Sequence, residues 1–118
     1  MKLIEFEKLH DWEIVNISTN LSNKLLIIEI IHPENGESKK IEFIDVFEMN
    51  ISKVKLQNVI LDVIIFEESC DSDYFKYCSK ILNINDLTIF SEYCLIYFEP
   101  SVGAEIACVC REIIVTAL

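Results

Sequence analysis

Along most of this chain apolar residues recur at every second position or run without interruption, and many of them are β-branched or aromatic. Strands buried on one or both faces read this way, because successive side chains of a strand point to opposite sides. The pattern predicts strands at residues 12–19, 24–32, 39–51, 59–67, 87–90, 93–99 and 104–116. Within Lys39–Ile51 the odd positions Ile41, Phe43, Phe47, Met49 and Ile51 would share one face, which Asp45 interrupts. A charge inside such a face reads as a bulge or a sheet edge rather than a site.

One segment breaks the period of two. In "SDYFKYCSKILN", Tyr74, Tyr77, Cys78, Ile81 and Leu82 follow the i, i+3, i+4, i+7, i+8 spacing of an amphipathic helix, predicted over residues 72–83. Asp71, Ser72 and Asp73 offer a cap and favourable charge at its start, and Lys76 and Lys80 lie further along. Residues 2–9 read equally as a short helix or an edge strand. The two glycines and two prolines all fall at expected chain reversals. Pro33 with Asn35-Gly36 predicts a tight hairpin, since Asn-Gly readily takes positive φ. Pro100 and Gly103 predict a second one before the closing strand. The expected fold is α+β: a mostly antiparallel β-sheet, open barrel or sandwich of about six to seven strands with one helix, residues 1–118 forming a single domain.

Composition supports a packed chain. Hydrophobic residues are 52% of the 118 against 25% charged, enough apolar surface to offset the entropy of ordering. The longest uncharged apolar stretches, Leu25–Ile28 and Val63–Phe66, fall far short of a membrane-crossing helix. Glu5 and Glu7 stand where a signal peptide keeps an apolar core, so a cytoplasmic location is expected. In that compartment the five cysteines, Cys70, Cys78, Cys94, Cys108 and Cys110, are expected to be free thiols. The formal charge of −10, from 20 acids and 10 bases, opposes nonspecific binding to nucleic acid or anionic membranes and favours a basic partner.

Candidate chemistry is sparse. Zinc sites bring paired ligands such as Cys-x2–4-Cys, and the Cys-x7-Cys, lone Cys94 and Cys-x-Cys spacing here matches poorly. On one strand Ile106, Cys108, Cys110 and Ile114 would line an apolar face, with Val109, Arg111, Ile113 and Val115 on the other, so the cysteines read as core thiols. A metal site would require Cys70, Cys94 and the Cys108/Cys110 pair to converge in three dimensions. His10 and His32 stand apart from any nucleophile motif and read as surface or capping residues; adjacent strand positions would keep His10 and Asp11 on opposite faces. No phosphate loop, dinucleotide fingerprint or zinc-protease helix occurs, so neither catalytic residues nor a cofactor are expected. The acidic run is a better lead. Asp62, Glu67, Glu68, Asp71 and Asp73 lie in a stretch without a base between Lys55 and Lys76, either as a solvated rim or as a surface that meets Arg and Lys on a partner. Tyr74, Tyr77 and Trp12 are candidate aromatic anchors there, though all three read more readily as core.

"LHDWEIVNI" followed by a long apolar strand, "KKIEFIDVFEMNI" after an Asn-Gly turn, and the closing "YFEPSVGAEIACVCREIIV" together resemble the small β-rich immunity proteins of bacterial polymorphic-toxin systems, including contact-dependent growth inhibition. The resemblance covers most of the chain and implies a cytoplasmic, non-enzymatic protein that binds one cognate toxin domain, often a nuclease, and blocks its active site or substrate groove. It carries over no catalytic or contact residues. The competing expectations are a small ligand-binding or enzymatic barrel whose cavity is walled by aromatic and cysteine positions, and a structural or oligomerising accessory domain.

Overall fold

A computed structural model describes residues 8–118. The element order is β1 (Glu13–Asn20), β2 (Leu25–Ile31), β3 (Ser38–Ile44), β4 (Glu48–Ser52), β5 (Val59–Phe66), α1 (Asp73–Ile81), a 3-10 helix (Leu87–Ser91), β6 (Cys94–Val102), β7 (Glu105–Cys110) and β8 (Glu112–Ala117). The strands form one antiparallel sheet of order β4-β7-β6-β5-β1-β2-β3-β8, eight strands rather than six or seven. The reading of residues 2–9 as helix or edge strand lies outside the described residues except for Lys8 and Leu9, which belong to a turn.

The extra strands come from two bends. The predicted strand 39–51 splits into β3 and β4, and 104–116 splits into β7 and β8. The two bent paths pair along both halves, Ile44 opposite Glu112 before the bend and Glu48 opposite Val109 after it. Three residues, Asp45 to Phe47, therefore face two, Cys110 and Arg111, which is the extra-residue count of a bulge. Asp45 takes φ +57 there, and its carboxylate forms an ion pair with Arg111, Oδ2 lying 2.6 Å from Nε, so the charge interrupting the apolar face marks the corner. Because β3 leads into β4 and β7 into β8, the sheet returns on itself. Its narrowest seam is β1 against β5, held by Glu13 opposite Val59 and by bonds from Asp11 N–H to Ile60 O (2.8 Å), Ile60 N–H to Trp12 O (2.9 Å) and Ile14 N–H to Asn58 O (2.7 Å).

The bends shift the side-chain alternation by one, which corrects two expected faces. Cys108 and Cys110 point inward with Ile106, but beyond Arg111 the inward residues are Ile113 and Val115, while Ile114 is exposed. Likewise Val46 turns inward in place of Phe47, which stands half exposed against Tyr93. The interior so formed is filled by Leu26, Ile28, Ile41, Phe43, Ile96, Phe98, Ile106 and Cys108, each at most 1% exposed.

A second core lies outside the sheet. Leu95, Tyr97, Ala107 and Val109 on the outer face of β6 and β7 pack against Phe75, Cys78 and Leu82 of the helical segment and Phe90 of the 3-10 helix. These two strands are therefore buried on both faces, which explains their continuous apolar run. Ser72 caps α1 by accepting from Phe75 N–H at 3.1 Å, and Asn83, at φ +57, ends it. The buried stripe is Phe75, Cys78 and Leu82 rather than one centred on the tyrosines; Tyr74 and Tyr77 are 42% and 40% exposed. A phenol must keep a polar partner, so tyrosines settle at the rim where phenylalanine fills the centre. Residues 87–90 are helical, not a strand: Asp86 Oδ1 accepts from Thr88 N–H (3.0 Å) and Thr88 Oγ1–H (2.6 Å), tying up backbone that a ladder would use.

The turns also differ in detail. The first hairpin loop is longer than a two-residue turn, closed by His32 N–H to Glu37 O at 2.7 Å, and Gly36 supplies its positive φ without Asn35 doing so. Pro100 lies within β6, opposite Ile60 at a register irregularity where a missing N–H is tolerated, and Gly103 alone makes the reversal. At Gly103 (φ +79) a Cβ would come within 2.3 Å of Asn58 Oδ1, so only glycine fits. That buried Asn58 oxygen accepts from Lys55 N–H and Ala104 N–H, joining the segment after β4 to the β6–β7 turn.

Candidate functional site

The thiols separate into three environments. Cys94, Cys108 and Cys110 lie in the interior, Cys78 lies under α1, and Cys70 is exposed beside the helix start. Burial, with the nearby Glu105 charge adding to it, pushes the Cys78 thiol up to about 12. Cys94 is raised by its contact with the Cys110 thiol and then by burial, and Cys110 is raised chiefly by Cys108. Such thiols resist the thiolate form that nucleophilic attack and metal ligation both need. Among the described residues no group of three His, Cys, Asp or Glu side chains is arranged to hold a metal ion, and Cys70 does not join the interior three.

His10 and Asp11 occupy a turn, not a strand, so their side chains do meet: His10 Nε2 is 3.3 Å from Asp11 Oδ1. Asp11 has φ +69, which removes the strand alternation expected to part them. Both are well exposed, and His10 Nδ1 lies 2.7 Å from Leu61 O. His32 Nδ1 accepts from Glu34 N–H at 3.2 Å, capping its own turn, and its ring meets buried Trp12 edge to face.

The five predicted acids occupy distinct settings on the outer face. Asp62 stands on β5, and Glu67 and Glu68 follow the end of that strand. Asp71 lines an open groove with Lys76, Lys80 and Leu87, and Asp73 opens α1. All five are exposed.

Two acids that the charge pattern did not single out complete a polar row with Asp62. Asp62 sits directly opposite Glu99 across β5 and β6. One step along β6 and β7 beyond the pairs Tyr97–Ala107 and Phe98–Ile106 lies Glu105. Over this row stand the three tyrosines of the helix–sheet interface, with Tyr97 about equidistant, at 5.9 and 6.1 Å between ring centroids, from Tyr74 and Tyr77. Tyr74 donates to Glu99 Oε2 at 2.6 Å, Tyr97 to Glu105 Oε2 at 2.6 Å, and Tyr77 to both Glu105 oxygens at 2.9 Å.

Glu105 is 6% exposed yet remains the anionic member of this network. Its burial alone would raise its pKa; the hydroxyls of Tyr97 and Tyr77, then Lys53 Nζ at 3.9 Å and Ser52, outweigh that and hold it below the usual carboxylate range. The phenols move the other way. Burial and then the Glu105 bond raise Tyr97 and Tyr77, while the Glu99 bond leads in raising Tyr74, with burial and the charges of Glu99 and Asp62 adding to it. The Glu105 carboxyl pushed down and the phenols pushed up hold the proton on tyrosine, the arrangement of a structural clamp and not of acid–base catalysis near neutrality. Glu105 was hidden in the sequence because "GAEIACVC" reads as turn then strand, and only the placement of α1 brings tyrosines over it.

No protein-family model matches the chain, and no curated protein or solved structure matches it.

Proposed function

We propose that this chain is an immunity protein: it binds a cognate toxin domain with a basic surface, a nuclease being the best-suited class, and neutralises it as a stoichiometric complex in the cytoplasm without catalysing a reaction. The observation that carries this reading is the outer face of β5, β6 and α1, where Asp62, Glu99 and two half-exposed tyrosines are set side by side on a chain of charge −10. Such a surface opposes nucleic acid and attracts the Arg- and Lys-rich groove with which a nuclease meets phosphates. A ligand-binding barrel needs open space within the sheet, and the interior positions are occupied by Ile28, Ile41, Phe43 and Phe98. No helix among the described residues is long and apolar enough to cross a membrane.

The deciding experiment is co-expression with the toxin domain encoded directly upstream, followed by co-purification and an activity assay of that domain. A one-to-one complex that abolishes toxin activity is expected. Absence of a complex at micromolar concentration would overturn the proposal.

A further inference from the structure

β1 is paired with β2 from Glu13 to Asn20, but its other edge is nearly bare. Among the described residues that edge meets β5 only at Glu13 opposite Val59 and through the Ile14 N–H to Asn58 O bond. Beyond Ile14, alternate backbone N–H and C=O groups therefore point away from the sheet without a backbone partner. Strand edges are ordinarily blocked by charge, proline or a bulge. Here the register irregularity lies between Ile14 and Asn16, at the start of the bare stretch, and no charged residue or proline occurs from Ile14 to Asn23.

The side chains around this edge are built to meet a copy of themselves. Val15 is 56% exposed, and Leu21, in the turn after β1, is 74% exposed. Beside Val15 runs an open groove of about 420 Å³ walled by Ile17, Val54 and Leu56, the last fully exposed. Val15 and Leu21 stand three residues to either side of Ser18. An antiparallel copy of β1 laid along the edge about a two-fold axis at Ser18 pairs Asn16 with Asn20 and Ile17 with Thr19, and sets Leu21 of each copy against Val15 and its groove in the other. Knob and hole thus lie on the same surface, as an isologous contact requires. Charge agrees with this. The groove beside Val15 carries Glu13 and Lys55, and the one beside Leu21 carries Lys24 and Glu48, so the edge is locally neutral on a chain of −10. A basic partner is drawn to the acidic surface elsewhere, whereas a second copy meets this edge without a conflict of like charges.

We infer that the free edge of β1 is a dimerisation surface, on which a second copy of this chain adds its own β1 to continue the sheet across a two-fold axis. Backbone hydrogen bonds supply the attraction, and the Leu21 side chain entering the groove fixes the register. The ladder is short, so a dissociation constant on the order of micromolar is expected. The pairing uses none of Asp62, Tyr74 and Glu99, and the inference does not rest on the immunity reading.

Sedimentation equilibrium of the full chain across the micromolar range, at low and high salt, tests it. A monomer–dimer equilibrium is expected, strengthened at high salt because the repulsion between two chains of charge −10 is screened. Hydrogen exchange should show protection gained with concentration at amides between Val15 and Asn20. Ser18→Lys places like charges across the axis and Leu21→Asp removes the side chain that fills the groove, and each should weaken the dimer at least tenfold. Both positions are exposed, so an unchanged melting temperature of the monomeric variants would show that they are folded. Leu118→Asp, at an apolar residue 66% exposed beyond β8, should leave the equilibrium unchanged. A monomer at every concentration, a dimer that tolerates Ser18→Lys, or one weakened equally by Leu118→Asp would each overturn the inference. Protection of β1 that appears only with the upstream toxin domain would also overturn it, assigning the edge to a strand of the partner. A dimer with these properties and no toxin complex would overturn the immunity reading alone.

Discussion

Glu105 shows how one side chain serves both packing and electrostatics. Its carboxylate is nearly buried, yet it accepts from Tyr97, Tyr77 and Ser52 and lies near Lys53, so α1 is tied to the sheet through hydroxyls rather than by apolar contact alone. Glu105→Ala would leave the Tyr97 hydroxyl buried without its acceptor, at a cost of about 1–3 kcal/mol. The pH dependence follows from the directions of the shifts. Glu105 has a depressed pKa, so its contribution is present above the usual carboxylate value of about 4.3 and is lost as pH falls through its folded value. Tyr97 and Tyr77 are raised, so theirs is present below about 10 and is lost as pH climbs through their folded values. Urea unfolding of the parent and Glu105→Gln should therefore differ most between about pH 5 and 9 and converge towards pH 3. A difference that stays constant down to pH 3 would contradict the charged role of Glu105.

At the scale of elements, the helix and the two bends carry the architecture. α1 docks by Phe75, which touches Phe66 at 5.4 Å and Phe90 at 5.0 Å between ring centroids and joins helix, sheet and 3-10 segment. Phe75→Ala would remove that junction at a cost of about 3–5 kcal/mol. Thermal denaturation should show a lowered midpoint, and loss of protection at amides of α1 before those of β2 and β3 would locate the damage. The bend is held differently, by Arg111 bridging Asp45 and Glu92 over the Tyr93 ring and by Arg111 N–H bonded to Ile44 O. Its side chain is 45% exposed, which lets it serve at a corner where an apolar residue would be left in solvent.

The whole molecule is a sheet turned back upon itself with cores inside and outside, and this decides what its thiols can do. Four of the five cysteines are buried and only Cys70 is exposed. A thiol reagent added to the native protein should label one site quickly, and the other four at the rate of unfolding or after denaturant is added. Rapid labelling of two or more would show that the helical layer opens readily. The negative charge of the surface likewise acts as a whole. Association with the proposed basic partner should be faster in low salt and lose much of that advantage near 0.15 M, where the screening length is about 8 Å.

Much of the fold was legible locally. Periodicity located the long strands, Ser72 and its acidic neighbours located the helix start, and Gly36 and Gly103 located two reversals, because each depends on backbone preference within a few residues. The same local reading missed what distant contacts decided. It ran β3 into β4 and β7 into β8, since the corner exists only where Asp45 meets Arg111, 66 positions along the chain. It assigned residues 87–90 to a strand, although capping by Asp86 and packing of Phe90 against Phe75 favour a helical turn. Of the candidate surface, Asp62 and the tyrosines beside the acidic run could be read from the sequence, but Glu99 and Glu105 could not be joined to them. Composition by itself determined the net charge and the capacity for a packed core. Only the tertiary structure decided which acids face one another across the strands and which tyrosines meet them, because strand register and helix docking are set by burial across the whole sheet.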